Sequence, residues 1–139
     1  MDRDAILFAN EAFYRAFADR DPAAMEDLWA KDAPVACIHP GWAPLTDRET
    51  IMASWRAILT GRNAPDIHSR HAQVFQHGDT AFVICFEKIG AGFLVATNAF
   101  IRQRSRWKMV HHQAGPTNQD PPAESDDDEN DNEPGGPVN

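Results

Sequence analysis

From Ile6 to Leu59 the apolar positions recur at three- and four-residue spacing, and beyond Pro65 the spacing falls to two. The change of period divides the chain into a helix-forming half and a strand-forming half. Over residues 4–19, Ile6, Ala9, Phe13, Ala16 and Phe17 share one face of a predicted helix. Asp21-Pro22 offers an N-cap followed by proline at the first helical position. The second helix so opened carries Met25, Leu28 and Trp29 on one stripe and ends near Lys31. Thr46-Asp47-Arg48-Glu49 has the capping-box pattern of a third start. Ile51, Trp55, Ile58 and Leu59 form its apolar face, and Gly61 closes it. Between the second and third helices, Val35–Ile38 reads as a short strand that delivers His39 to the turn Pro40-Gly41-Trp42.

The strand-forming half contains four candidates: residues 67–76, Thr80–Lys88, Phe93–Arg102 and Trp107–Gln113. His77-Gly78-Asp79 and Gly90-Ala91-Gly92 are the turns that join the first three, as expected of a meander. Helices first and strands afterwards is the α+β order rather than βαβ alternation. Three helices packed on a curved antiparallel sheet would enclose a cavity.

Composition refines the boundaries. The formal charge of −8 is concentrated in residues 116–139, which hold eight acids and no Lys or Arg, whereas residues 1–115 hold 13 acids against 13 bases. A neutral body leaves no electrostatic footprint for nucleic acid and little attraction to anionic membranes. Residues 116–139 also hold half of the ten prolines and no aromatic residue. Such a segment buries too little apolar surface to offset its ordering entropy. The expected organisation is a folded domain over 1–115 and a disordered acidic tail over 116–139. No run of about 18 apolar residues offers a membrane span. The start Met1-Asp2-Arg3-Asp4 lacks the basic and apolar regions of a secretory signal. A cytoplasmic location is expected, with Cys37 and Cys85 as buried free thiols inside apolar runs.

The stretch Asp21–Leu59, DPAAMEDLWAKDAPVACIHPGWAPLTDRETIMASWRAIL, resembles the opening half of SnoaL-like proteins. Ala96-Thr97-Asn98-Ala99-Phe100 and Trp107-Lys108-Met109-Val110-His111-His112 resemble their closing two strands. The likeness covers roughly residues 5–115 and implies a cone-shaped fold of the nuclear transport factor 2-like superfamily. It implies an apolar pocket between helices and sheet, and homodimers packed through the sheet. Isomerases, cyclases and dehydratases share this fold with non-enzymatic modules such as the calmodulin-dependent kinase association domain, so fold alone does not settle function. One departure lies in His112-Gln113-Ala114-Gly115-Pro116, where close relatives tend to have another His and then Ser-Pro.

Ketosteroid isomerase, a member of the superfamily, needs a carboxylate base and a hydrogen-bonding pair for the enolate oxygen. Aligned from Asp21, its base falls at Cys37, its oxyanion Tyr at Phe13 and its oxyanion Asp at Asn98. Two of the three positions are lost, so that activity is excluded. Tyr14 stands one residue off and is expected to face elsewhere on the helix.

His39 is a candidate replacement base, an imidazole that titrates near neutrality; the other reading has it bonded to backbone in the Pro-Gly turn. His111 and His112 must point to opposite sheet faces, and parity with the isomerase's last strand favours His112 for the pocket. Asn98 would donate to a carbonyl or enolate oxygen. His39, His112 and Asn98 are therefore the candidate catalytic set. Trp29, Trp42 and Trp55 are the candidate ligand-binding residues, although Trp29 and Trp55 also suit plain core packing. Glu87 is the one acid inside a strand core, where burial would raise its pKa; the commoner reading is a strand-end residue at a solvated edge, next to Lys88. No metal-ligand spacing is present; a site would need His39, His112 and a carboxylate brought together by the fold. The resulting expectation is a homodimer binding a small hydrophobic ligand, without cofactor. It would act by proton transfer or hydration if it is an enzyme; the alternative is an assembly module.

Overall fold

A computed structural model describes residues 2–123. The acidic stretch from Glu124 onward, and with it most of the expected tail, lies outside the described residues. Three helices precede the main strands: α1 (Arg3–Ala18), α2 (Pro22–Leu28) and α3 (Arg48–Thr60). Five strands follow the order β1 (Ala36–Ile38), β2 (Ile67–His77), β3 (Thr80–Ile89), β4 (Gly92–Gln103) and β5 (Arg106–Thr117). They form one sheet in the spatial order β1-β5-β4-β3-β2.

β2 to β5 make the expected antiparallel meander, but β1 joins β5 in parallel, with Cys37 opposite His112. The sheet is therefore mixed rather than antiparallel. The cause lies before β1. α2 stops at Leu28 rather than near Lys31, because Trp29 is already extended at φ −77° and ψ 140°. The Ala30 amide then donates to the Met109 carbonyl at 2.9 Å, so the chain enters the sheet running beside β5. At the other end β5 pairs Pro116 with Leu94 and Thr117 with Phe93, so the last strand runs two residues past the boundary expected at Gly115.

Helix starts follow their caps. The Asp21 carboxylate accepts from the Ala24 amide at 3.1 Å, with Pro22 in the first turn. α3 begins one residue later than the capping-box reading. Asp47, not Thr46, is the N-cap, accepting from the Thr50 amide at 2.9 Å and the Thr50 hydroxyl at 2.8 Å. The two carboxylate oxygens of Asp47 each take one donor of Thr50, and Glu49 is left free of that role.

A bulge between Arg70 and Gln73 interrupts the β2–β3 register, with His71 at φ +57°. The extra residue flips the pattern, so Ala72 and Val74 pack against the core while Phe75 faces outward, 39% exposed. The core joins Phe13, Phe17 and Trp55, whose rings meet edge to face 5.4–6.1 Å apart. Ile101 of β4 lies partly buried against this core.

Candidate functional site

Alternation along the strands places Val83, Cys85 and Glu87 of β3, Asn98 of β4 and His112 of β5 on the buried, helix-covered face. Across them lies α1, whose Asn10, Phe13, Tyr14 and Phe17 are all buried. Offsets of three, four and seven residues bring these four onto one helical face.

Five polar side chains form a continuous buried network. The Tyr14 hydroxyl donates to Glu87 Oε2 at 2.6 Å. Asn98 Nδ2 donates to the Tyr14 oxygen at 3.1 Å and to Asn10 Oδ1 at 2.9 Å. Asn98 Oδ1 lies 2.6 Å from His112 Nδ1. Proton counting then settles the imidazole. Tyr14 has one hydrogen, spent on the carboxylate, so its oxygen accepts from Asn98; both Asn98 amide hydrogens are thereby used. The remaining Asn98 oxygen can only accept, so His112 carries its hydrogen on Nδ1 and a lone pair on Nε2. No described residue hydrogen-bonds that Nε2.

His39 leaves β1 into the turn where Gly41 adopts φ +83° and the Trp42 amide donates to the His39 carbonyl at 2.9 Å. Its side chain does not bond the turn backbone. Nε2 meets Ser54 Oγ of α3 at 2.9 Å, and Ser54 gives its own hydrogen to the Ile51 carbonyl at 2.7 Å. His39 is therefore the donor, with its hydrogen on Nε2. Cys37 Sγ lies 3.8 Å away.

Trp55 bridges the two imidazoles, its ring 4.7 Å from His39 and 5.8 Å from His112. Phe13 closes the cluster 4.8 Å from His112, and Trp42 covers His39 at 4.7 Å while remaining 48% exposed. The Trp55 indole Nε1 is buried without a partner. An unsatisfied buried N–H costs about 1–3 kcal/mol, and no described residue takes this one.

Burial sets the charge of every group here. It pushes the His39 pKa down to about 4, and that of His112 down to about 3 with smaller contributions from His39 and His111. Burial raises the Cys37 thiol to about 12, which removes it as a nucleophile near neutrality. Burial also raises Glu87, against the lowering effect of the Tyr14 hydroxyl. Tyr14 is raised as well, by burial first and then by Cys85 and Glu87.

His39, Trp55, His112 and Asn98 are thus brought together, with Trp42 at the rim, and His111 points away with its Nδ1 3.1 Å from the Ala36 carbonyl. Four expectations change. Asn98 cannot donate to a ligand as it stands, since both its amide hydrogens are engaged. Trp29 is fully buried beside Met109, makes none of the described ring contacts of this cluster, and leaves its own Nε1 unpartnered. Glu87 is not at a solvated edge but 2% exposed. Tyr14 does not face elsewhere; it is the functional candidate that sequence reasoning missed, while the buried reading of Glu87 was weighed and ranked second. Their signals were the spacing of Tyr14 from Asn10 and Phe17 on α1, and the two-residue step from Cys85 to Glu87.

No group of three or more His, Cys, Asp or Glu suits a metal among the described residues. A groove of about 330 Å³ lined by Glu26, Arg48, Glu49, Met52 and Arg56 lies outside this cluster. It shares none of its residues with the histidines.

Fold and site together define a helix-covered α+β sheet domain with its polar chemistry on the inner face. The chain belongs to the SnoaL-like domain family, whose model matches residues 6–118. Its fold is that of the nuclear transport factor 2-like superfamily. A candidate dehydratase of the NTF2-like family from Streptomyces avermitilis is 31% identical, with 84% of this chain and 96% of that one covered at a TM-score of 0.77. A candidate calcium/calmodulin-dependent protein kinase type II association domain from Thiobacillus denitrificans is 34% identical, covering 78% and 92% at a TM-score of 0.68. A Caulobacter vibrioides protein with a cystatin-like fold, 15% identical over 93% and 94%, shares the fold at a TM-score of 0.75. No curated protein matches the chain.

Proposed function

We propose that this protein is a homodimer that binds a small, largely hydrophobic ligand between helices and sheet, at the cluster of His39, Trp55 and His112. The carrying observation is the unpartnered Trp55 N–H, buried between two imidazoles that a second layer of hydrogen bonds holds in place. Trp29 Nε1 is unpartnered too but lies away from the imidazoles; what marks Trp55 is the pair of histidines beside it. Trp42, half exposed beside His39, marks the side from which a ligand enters.

Binding ranks ahead of catalysis. An imidazole with a pKa near 3 is always deprotonated at neutral pH but is a weak base, far from the match that favours general acid–base work. A ligand that brought a negative charge into the cluster would raise that pKa, and proton transfer or hydration would follow from His112 Nε2. The resemblance to a candidate dehydratase fits such a step.

The second reading, an assembly module, is favoured by the outer sheet face. Phe75 stacks on Phe82 at 5.0 Å, and Phe86 meets Phe93 at 6.2 Å, on the side no helix covers. The homodimer of the first reading uses that same face. A screen of uncharged monocyclic compounds, followed by tryptophan fluorescence in the wild type and in Trp55→Phe, separates the two. Saturable binding that Trp55→Phe weakens supports a ligand site. Absence of any saturable compound, with a stable oligomer intact, would leave the assembly reading.

A further inference from the structure

Glu87 sits 2% exposed at the far end of the hydrogen-bond network from His112, and the ligand reading gives it no task. Its register partners on β2 and β4 are Ser69 and Leu94, so neither neighbouring strand sets a charge opposite it. From α1 it meets the Tyr14 hydroxyl. Burial first and then that hydroxyl act on its carboxyl group, and Cys85, two residues back on β3, is the other titratable neighbour of Tyr14. Each bond between Glu87 and His112 has a direction that the next one inherits. When Glu87 accepts the Tyr14 hydrogen, the Tyr14 oxygen accepts from Asn98, and the Asn98 oxygen is left for the His112 Nδ1 hydrogen.

We propose that Glu87 is a positioning residue that decides, through Tyr14 and Asn98, which ring nitrogen of His112 carries the hydrogen. As an acceptor, Glu87 holds that hydrogen on Nδ1 and leaves a lone pair on Nε2. A neutral Glu87 donates to the Tyr14 oxygen instead, and the Tyr14 hydrogen turns to another acceptor. Two groups lie within reach, Cys85 Sγ at 3.3 Å and the Asn98 amide at 3.1 Å. Sulfur is the weaker acceptor. A half-turn of the Asn98 amide presents its oxygen to Tyr14 and its NH2 group to His112 Nδ1. Asn10 turns with it and donates to the same oxygen. The His112 hydrogen then sits on Nε2. Both arrangements keep the five side chains bonded, which buried polar groups require. Glu87 takes one proton from solvent, while His112 gives one up at Nδ1 and gains one at Nε2, so the ring stays neutral. Burial raises Glu87 and lowers His112 to about 3, so on acidification the carboxylate is protonated before the imidazole. Falling pH thus turns His112 Nε2 from acceptor to donor without charging it. The inference concerns the free protein, and it stands or falls apart from the small-ligand reading.

Long-range nitrogen–proton NMR of the full-length protein reads the His112 tautomer. At pH 8 the wild type should carry the hydrogen on Nδ1. Glu87→Met, a side chain of similar length without an oxygen acceptor, should carry it on Nε2. Tyr14→Phe cuts the link, so adding Glu87→Met to it should leave the tautomer of the Tyr14→Phe protein unchanged. A purely structural Glu87 would lower the melting temperature of its variant and leave the tautomer alone. The same tautomer in wild type and Glu87→Met therefore overturns the proposal, as does a change that persists without Tyr14. Should Glu87→Met fail to fold, the wild type carries the test. The Glu87 carboxyl carbon signal marks its ionisation as the pH is lowered, and the His112 hydrogen should move to Nε2 at the same midpoint. A hydrogen that stays on one nitrogen through that midpoint, or one found on Nε2 while Glu87 is ionised, overturns the proposal.

Discussion

The two faces of the sheet invert the usual distribution of polar and apolar groups. The inner face, shut under three helices, holds Glu87, Asn98 and His112 at 2%, 0% and 3% exposure. The outer face carries Phe75, Phe82, Phe86 and Phe93, of which Phe75 is 39% exposed. Buried polar groups cost stability unless fully bonded, and exposed aromatic rows invite association. Each face therefore carries a feature that an isolated, inert domain would lack. On the proposed reading, a ligand accounts for the inner feature and a second subunit for the outer one.

The comparison breaks first at Asn98. Asn98→Ala removes the partner of His112 Nδ1, Asn10 and Tyr14 at once, and should cost about 3–5 kcal/mol in urea unfolding. A loss under about 1 kcal/mol would mean that the inner network is slack.

Acid should distinguish the faces next. His39 and His112 have folded pKa values near 4 and 3, below the 6.5 of a free imidazole. The unfolded chain takes up their protons first, so stability is full above pH 6.5 and falls as the pH drops toward the folded values. The loss should be about 2 kcal/mol per histidine by pH 5. Glu87 opposes this, because a raised carboxylate pKa makes the folded state bind its proton first. Glu87→Gln should therefore steepen the acid decline, read from unfolding midpoints at pH 7 and pH 5. A flat profile for both proteins would contradict the buried neutral histidines.

On the outer face, Phe86→Lys should change sedimentation from about twice 15.5 kDa to a single 15.5 kDa chain, with the dimer dissociation constant raised at least tenfold. Its ligand affinity should hardly move, since the inner network is untouched. The smallest effect is expected at the rim. Trp42→Ala should alter stability by less than about 0.5 kcal/mol while weakening ligand binding measurably. Loss of stability instead would make Trp42 a packing residue.

Much of this was legible from period alone. The helix faces of α1 and α3 and the meander of β2 to β5 follow from spacings of three, four and two, whereas the inward placing of Asn98 and His112 came from the resemblance to the isomerase. What stayed hidden depends on register between distant segments. Nothing local tells that β1 runs parallel to β5, because that follows from Ala30 meeting Met109. Glu87 was read as solvated because charged residues are rarely buried; only pairing β3 under α1 shows that Tyr14 supplies its hydrogen bond. Tyr14 was set aside because an aligned position favoured its neighbour Phe13, yet a helix face wide enough for Asn10 and Phe17 includes both. The Ser54 partner of His39 comes from α3, fifteen residues on in the chain.

The account stands on the claim that the inner cluster, not the outer face, receives a small ligand. Histidine side-chain spectra recorded while compounds from the uncharged monocyclic screen are added test this most directly, since His39 and His112 report the inner face and His77 and His111 lie away from it. Saturable shifts at His39 and His112, with His77 and His111 unmoved, are the predicted result. Shifts confined to His77 or His111, or no saturable shift at any histidine, would contradict it.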